Sequence, residues 1–353
     1  MTTAHDGEII VRQEGALRRI TLNRPKALNA LTLGMAVEMT EHLRAWMSDP
    51  DVGVVLLDGA GDRGFCAGGD IRALYDAAKT ESALPAQFWS TEYYLDVLIA
   101  RYPKPIVALM DGVVMGGGVG LSAHAAFRIL TERSAVAMPE VGIGFFPDVG
   151  ASFLLARGPG LTGTYLALTG DRMNAADAVY CGFADVHIAT AKLPGLPAAL
   201  AGCRTPADVK NALAWMSTLP APGRLGAARG WIDQCYAADS VEDIMDRLRS
   251  NGTTEAGAAA AAMSKASPTS LKVTLRNVLA AVSFKRLEES FRQDFRIALA
   301  AIAGHDFIEG IRATIVDKDR NPKWRPTKLE EVTPGIVERH FQSVGALELK
   351  FPD

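Results

Sequence analysis

The chain predicts an α/β fold that gives way to a largely helical C-terminal region. Three observations lead there. Strand-like and amphipathic segments alternate from residue 8 to about 195. Several strand segments, such as VGVVLLDG at 52–59 and PIVALMDG at 105–112, are apolar almost throughout, the pattern of strands covered on both faces. Beyond about 195 the strand signals fade, and Ala-rich, amphipathic stretches run to about 315.

In order along the chain, residues 8–12 (EIIVR) and 17–22 (LRRITL) read as two strands around a turn at Glu14-Gly15. A helix covers 33–47, with Leu33, Val37, Leu43 and Met47 expected on its inner side. The strand at 52–59 follows, then a helix after Asp70 and another over 86–101. The strand at 105–112 leads through glycines into a short helix, and FRILTE (127–132) and SAVAMPE (134–140) are two further short strands. Loop signals in KLPGLPAALAGCRTPAD place a boundary near 195–205, dividing a core of residues 1–200 from a mainly helical region of residues 201–353. There, EAGAAAAAMSKA (255–266) is rich in a strong helix former. SPTSLKVTL opens a helix with Ser267 as N-cap and Pro268 in the first turn. The Pro-punctuated NPKWRPTKLEEVTP is expected to pack on the surface.

Composition removes several function classes. With 353 residues, 48% hydrophobic, 22% charged and a net charge of −3, the chain can bury a large core and offers no electrostatic case for nucleic acid or an anionic membrane. Cys66, Cys181, Cys203 and Cys235 are scattered without metal-ligand spacing, so neither a disulfide framework nor a metal site is expected. MTTAHDGEIIVRQEG has neither an apolar signal core nor an Arg-rich transit pattern. These readings lead to the expectation of a cytoplasmic protein.

The most informative stretch is residues 106–150. Glu140 and Asp148 sit among Val141, Ile143, Phe145, Phe146 and Val149 in MPEVGIGFFPDVG, and carboxylates in apolar company have their charged form destabilised. Glycines and Pro147 between them allow the loop to bring the two acids together; the alternative is that Asp148 caps a helix starting near Val149 and Glu140 pairs with an arginine. MGGGVG (115–120) and FCAGGDI (65–71) each place a glycine turn between an apolar strand and a helix. Either could be a tight structural turn. Together they suggest paired backbone donors for an oxyanion, which suits acyl chemistry. In LNRPKALNAL (22–31), Arg24 and Lys26 follow a strand end and could hold phosphates or simply be surface charges.

Other readings fail. Gly59, Gly61 and Gly64 fit the dinucleotide fingerprint, but Asp62 and Arg63 interrupt the required helix start, so a polar turn is expected. Cys66 has no evident partner base and reads as a small buried thiol, and His124 reads as a satisfied core histidine. There is neither a G-x-S-x-G nucleophile elbow nor a P-loop.

Taken together, NRPKALNAL, FCAGGDI, MGGGVG and MPE, in this order, resemble the crotonase (enoyl-CoA hydratase/isomerase) superfamily. The resemblance implies a spiral of ββα units that binds an acyl-CoA thioester, with CoA as part of the substrate and no other cofactor. It implies oxyanion donors at the Gly69 and Gly117 amides, with Ala67 and Gly68 lining the substrate and Arg24, Lys26 and Ala27 near the CoA nucleotide. Hydratases of the superfamily carry two glutamates; here Gly120 stands at the first position and Glu140 at the second. FPDVG, SPTSLKVTLR and GHDFIEGIRATIVDKDRNPKW are instead similar to the superfamily's 3-hydroxyacyl-CoA hydrolases. That likeness implies hydrolysis of a 3-hydroxyacyl-CoA, foremost 3-hydroxyisobutyryl-CoA. Glu140 would be nucleophile or base, and Asp148 and Glu92 would contact the substrate. Superfamily relatives suggest a trimer-based homo-oligomer. The competing expectations are an enoyl-CoA hydratase or isomerase and a non-catalytic acyl-CoA-binding protein.

Overall fold

The computed structural model describes residues 7–80 and 82–351; the N-terminal reading above rests partly on residues 1–6, outside the described residues. The chain forms two compact units. The first contains 1–69, 91–136 and 173–223, the second 70–90, 137–172 and 224–353, so no single cut in the chain separates them.

The first unit is built on a six-stranded sheet. Its strands are β1 (Ile9–Glu14), β2 (Leu17–Leu22), β3 (Val54–Gly59), β5 (Ile106–Met110), β7 (Phe127–Leu130) and β9 (Val186–His187), in that spatial order. β1 and β2 form the antiparallel hairpin; the remaining pairs are parallel, with Leu17 opposite Val54, Val55 opposite Ile106 and Val107 opposite Phe127. β4 (Gly64–Cys66), β6 (Val113–Met115) and β8 (Ala135–Ala137) form a second, three-stranded sheet. Each strand of the large sheet from β3 to β7 is thus followed by one of the small sheet and then by helical structure, the repeating ββα unit that was expected. Leu17, Val54, Leu56, Val107, Leu109 and Ile129 pack one face of the large sheet against Leu196, Leu200, Val209 and Leu213. Each such aliphatic side chain stabilises the fold by about 1.5–3 kcal/mol when fully buried.

Helix α1 (Leu33–Met47) starts where expected, with the Thr32 hydroxyl accepting the Met35 amide at 3.1 Å. Its inner face is corrected. Met35, Ala36, Met39, Leu43 and Trp46 are buried, whereas Val37 and Met47 are 40% and 36% exposed. The segment carries two apolar stripes about a quarter-turn apart, and only packing decides which one faces inward. The short strands β4 and β6 were not read from the sequence, because three residues show no periodicity. The Gly59–Gly64 stretch is a turn between β3 and β4 and opens no helix.

α2 (Ile71–Ala78) is capped by Asp70, and α3 (Leu84–Ala100) and α4 (Gly117–Ala123) also fall where expected. The second unit is mainly helical. Pro268–Ala281 begins on a Ser267 cap that accepts the Ser270 amide at 3.0 Å, and the Ala-rich segment forms Thr254–Met263. The Pro-punctuated tail is anchored by Trp324, whose indole N–H donates to the Lys265 carbonyl at 2.9 Å. Helix Leu287–Ile302 buries Phe291, Phe295, Ile297 and Ala298, and with them Asp294.

Candidate active site

In the first unit, two glycine turns and the loop after β2 come together. The Leu31 amide donates to Gly68 O at 2.8 Å and the Ala67 amide to Leu28 O at 3.0 Å. These bonds lay NRPKALNAL along Ala67–Gly69. Leu28 and Asn29 both take left-handed φ, and the buried Asn29 side chain donates to Ala60 O and Gly64 O at 3.0 and 2.9 Å, fixing the bend. A Cβ built on Gly117 would lie 3.4 Å from Gly69 N, and one built on Gly68, whose φ is +114°, would lie 3.7 Å from Gly117 N. Among the described residues, neither the Gly69 nor the Gly117 amide donates within the protein. Gly117 is the first residue of α4, where backbone N–H groups have no intrahelical acceptor. Two adjacent unused amides are what an oxyanion site requires.

Glu92, on α3, lies against the same turn: its Oε1 would collide with a Cβ at Gly117, and the side chain is only 2% exposed. Asp96, one turn further on, is also buried. Cys66 is fully buried, and burial first, then the Glu92 charge, pushes its thiol up to about 12, so it is inert as a nucleophile. Arg24 pairs with Glu8 at 3.0 Å and donates to Ala30 O at 2.6 Å, while Lys26 and Ala27 are exposed on a short 3-10 turn. His124 is half-buried, at the C-cap of the fully buried helix α4, rather than in the core.

In the second unit, Glu140 opens the 3-10 turn Glu140–Ile143 and is 7% exposed, and Asp148 is 5% exposed. The Phe145 amide donates to Glu140 O at 3.0 Å, folding the loop back on itself. Burial first, and the Asp148 charge second, hold the Glu140 carboxyl well above the usual carboxylate range. Glu140 Oε2 is buried with no hydrogen-bond partner. Phe145 stacks on Trp89 and Phe307, with ring centroids 5.5 and 4.5 Å apart. Gly144, at φ +74°, presses so close to Asp306 O that a side chain there would collide. The loop is therefore held at Gly144 and Phe145, just beyond Glu140.

Asp148 does not cap α5 (Ala151–Leu155) with its side chain; Gly150 occupies the cap position, and the Ala151 amide bonds to Asp148 O at 2.8 Å. Val149 is fully buried at φ +51°, a conformation β-branched residues rarely take and one that costs about 1–3 kcal/mol. Behind this turn sits Asp294, which the sequence reading missed. The available signal was an acid within the apolar stripe Phe291–Phe295–Ala298. Among the described residues, no group of three or more His, Cys, Asp or Glu could hold a metal ion.

With this geometry in hand, comparison with known proteins places the chain. Residues 17–341 match the family model described as Enoyl-CoA hydratase/isomerase.

The chain belongs to the enoyl-CoA hydratase/isomerase family.

Among its members, the Rattus norvegicus protein named "3-hydroxyisobutyryl-CoA hydrolase, mitochondrial" is 41% identical to this chain, over 98% of this chain and 91% of that protein. The Homo sapiens protein of the same name is 39% identical over the same shares. A solved structure of a carnitinyl-CoA dehydratase from Mycobacterium thermoresistibile superposes with a TM-score of 0.93 at 46% identity, covering 98% of this chain and 99% of that one. An enoyl-CoA hydratase from Rhodobacter sphaeroides 2.4.1 gives 0.92 at 41% identity, covering 98% and 100%. The family's fold is that expected from the motifs. The expectation of a cytoplasmic protein is corrected: the matching hydrolases are named mitochondrial. The physical reason is that four buried free thiols fit a reducing compartment without distinguishing one such compartment from another.

Proposed function

We propose that this family member hydrolyses a 3-hydroxyacyl-CoA thioester, with 3-hydroxyisobutyryl-CoA as the foremost substrate, releasing 3-hydroxyisobutyrate and CoA in valine breakdown. The observation that carries the reading is the lone buried Glu140 carboxyl, with Oε2 unpartnered and Asp148 charging its surroundings, in a chain that has Gly120 where a hydratase's other glutamate would stand. The relatives named 3-hydroxyisobutyryl-CoA hydrolase support the same substrate.

In this reading the Gly69 and Gly117 amides hold the thioester oxygen, and their hydrogen bonds strengthen as negative charge develops on it. Ala67 and Gly68 line the acyl group, Glu92 touches it, and Arg24, Lys26 and Ala27 meet the CoA nucleotide. Glu140 works in one of two ways. As base, it takes a proton from a water whose oxygen bonds to the carbonyl carbon; the C–S bond then breaks and the proton passes to the departing CoA sulfur. As nucleophile, it bonds to that carbon itself, expels CoA thiolate, and the resulting anhydride is opened by water. Asp148 accepts the 3-hydroxyl of the acyl group. Acyl chains lacking the hydroxyl would forgo that hydrogen bond inside a buried site and be turned over less well. CoA enters as part of the substrate, and no resident cofactor is invoked. The core of residues 1–200 carries these positions, residues 201–353 support them, and a trimer-based assembly is the expected quaternary state.

A second reading, hydration of a 2-enoyl-CoA, is favoured by the names of the two superposing structures. Thiol release from 3-hydroxyisobutyryl-CoA, compared between wild type and Glu140→Ala with crotonyl-CoA absorbance followed in parallel, separates the two. Thiol release that is lost in the variant, with crotonyl-CoA untouched, upholds the hydrolase. Loss of the crotonyl absorbance without thiol release establishes the hydratase instead.

A further inference from the structure

Asp294 is completely buried in an apolar helix face, where a hydrophobic residue would cost less. Both of its oxygens are used. Oδ2 accepts the Gly150 N–H at 2.9 Å, and Oδ1 accepts the Asn277 side-chain amide at 3.1 Å. Asn277 is itself held by Gln293, whose Nε2 donates to its Oδ1 at 2.5 Å. A second bond ties the same two elements: Ser290, one turn before Asp294, and Ser152, two residues after Gly150, share a hydrogen bond of 2.5 Å between hydroxyls. The segment gripped in this way is the one with unusual backbone, Val149 at φ +51° and Gly150 at +72°. Such a pair persists only where surrounding contacts over-determine it. Asp148 immediately precedes the pair, so the path of its backbone is tied to these two residues of positive φ.

We propose that Asp294 is the positioning residue for Asp148: it clamps the Gly150 amide, holds the left-handed Val149–Gly150 turn, and so fixes the direction in which Asp148 meets the substrate hydroxyl. The inference rests on the reading of Asp148 given above. It makes Asp294 a determinant of selectivity for hydroxylated acyl groups, acting without touching substrate. The charge of Asp148 is also felt at Asp294, as proximity of the two carboxyls requires.

The test compares kcat/KM for 3-hydroxyisobutyryl-CoA and isobutyryl-CoA in wild type, Asp148→Asn, Asp294→Ala, Asp294→Asn and the Asp148→Asn/Asp294→Ala double variant. Asp294→Ala should lower the hydroxylated-to-plain ratio by about tenfold or more, the isobutyryl-CoA rate falling less than about threefold. Asp294→Asn keeps an acceptor oxygen for Gly150 and should recover much of the ratio. The double variant should be no less selective than Asp148→Asn alone, because both changes remove one interaction. A parallel fall of both rates in Asp294→Ala, or an unchanged ratio, overturns the inference. Should Asp294→Ala fail to fold, Asn277→Ala, which frees Oδ1, replaces it: a smaller drop in the ratio supports the clamp and an unchanged ratio overturns it. A wild type that turns over both thioesters equally sinks the reading of Asp148, and the inference with it. A selective wild type and an unselective Asp148→Asn, beside a fully selective Asp294→Ala, sink the inference alone.

Discussion

Gly117 and Glu92 are packed so closely that a single methyl group at Gly117 would overlap Glu92 Oε1. The same methyl would lie 3.4 Å from the Gly69 amide. Gly117→Ala should therefore displace Glu92 and crowd the space beside both amides. Loss of one oxyanion donor costs about 10²–10³ in kcat, and a drop of that size is expected. Steady-state kinetics beside a thermal melt checks it; a variant that is folded and fully active would remove Gly117 from the chemistry.

Glu140 should trade stability for activity. Its carboxyl titrates well above 4.5 in the folded chain, so the native state holds that proton more tightly than the unfolded state does. Its contribution is fully present below the ordinary value and is lost as pH rises through the raised folded one. Above that window Glu140→Gln should melt at a higher temperature than wild type, while at low pH the two converge. Thiol release should be abolished in the variant at every pH. In wild type, kcat/KM should climb as pH rises through the raised value, because base and nucleophile alike must be ionised. Melts across the pH series in which the variant is never the more stable would contradict the assignment of burial as the dominant cause.

Cys66 should be silent toward alkylation in the native protein. With its thiol pushed up to about 12 and no exposed surface, it offers almost no thiolate near neutral pH. Iodoacetamide followed by peptide mass mapping should find it unmodified until the chain is unfolded in urea. Rapid inactivation with label on Cys66 would reopen the case for a nucleophilic role.

Lys26 should matter only for the CoA end of the substrate. It is exposed, and among the described residues no hydrogen bond or ion pair to it is seen. Lys26→Ala should raise KM for the CoA thioester by about threefold to tenfold at low salt and less at high salt, where exposed charges are screened. The corresponding pantetheine thioester, which lacks the nucleotide, should be unaffected. Equal effects on both substrates would move Lys26 away from the nucleotide.

The ββα repeat followed only from the resemblance of the motifs. The alternation of strands and helices and the helical second half could be read directly from the chain, because apolar runs such as Val54–Leu57 and Ile106–Met110 suit strands buried on both faces. So could the unusual setting of Glu140 and Asp148, since acids among Val141, Phe145, Phe146 and Val149 have little water to face. The Ser267 cap and the helix start after Asp70 were legible for a local reason, a side-chain oxygen that meets an amide three residues on. What only the tertiary structure decided is what touches what. The inner face of α1, the three-residue strands β4 and β6 and the closeness of Gly69 to Gly117 all depend on partners far away in sequence. Asp294 is the sharpest case. It lies 144 residues from the Gly150 amide it holds, and no local pattern links an acid on one helix to a glycine before another. Periodicity and turn chemistry act over a few residues; the clamp on Asp148 forms only when distant elements pack.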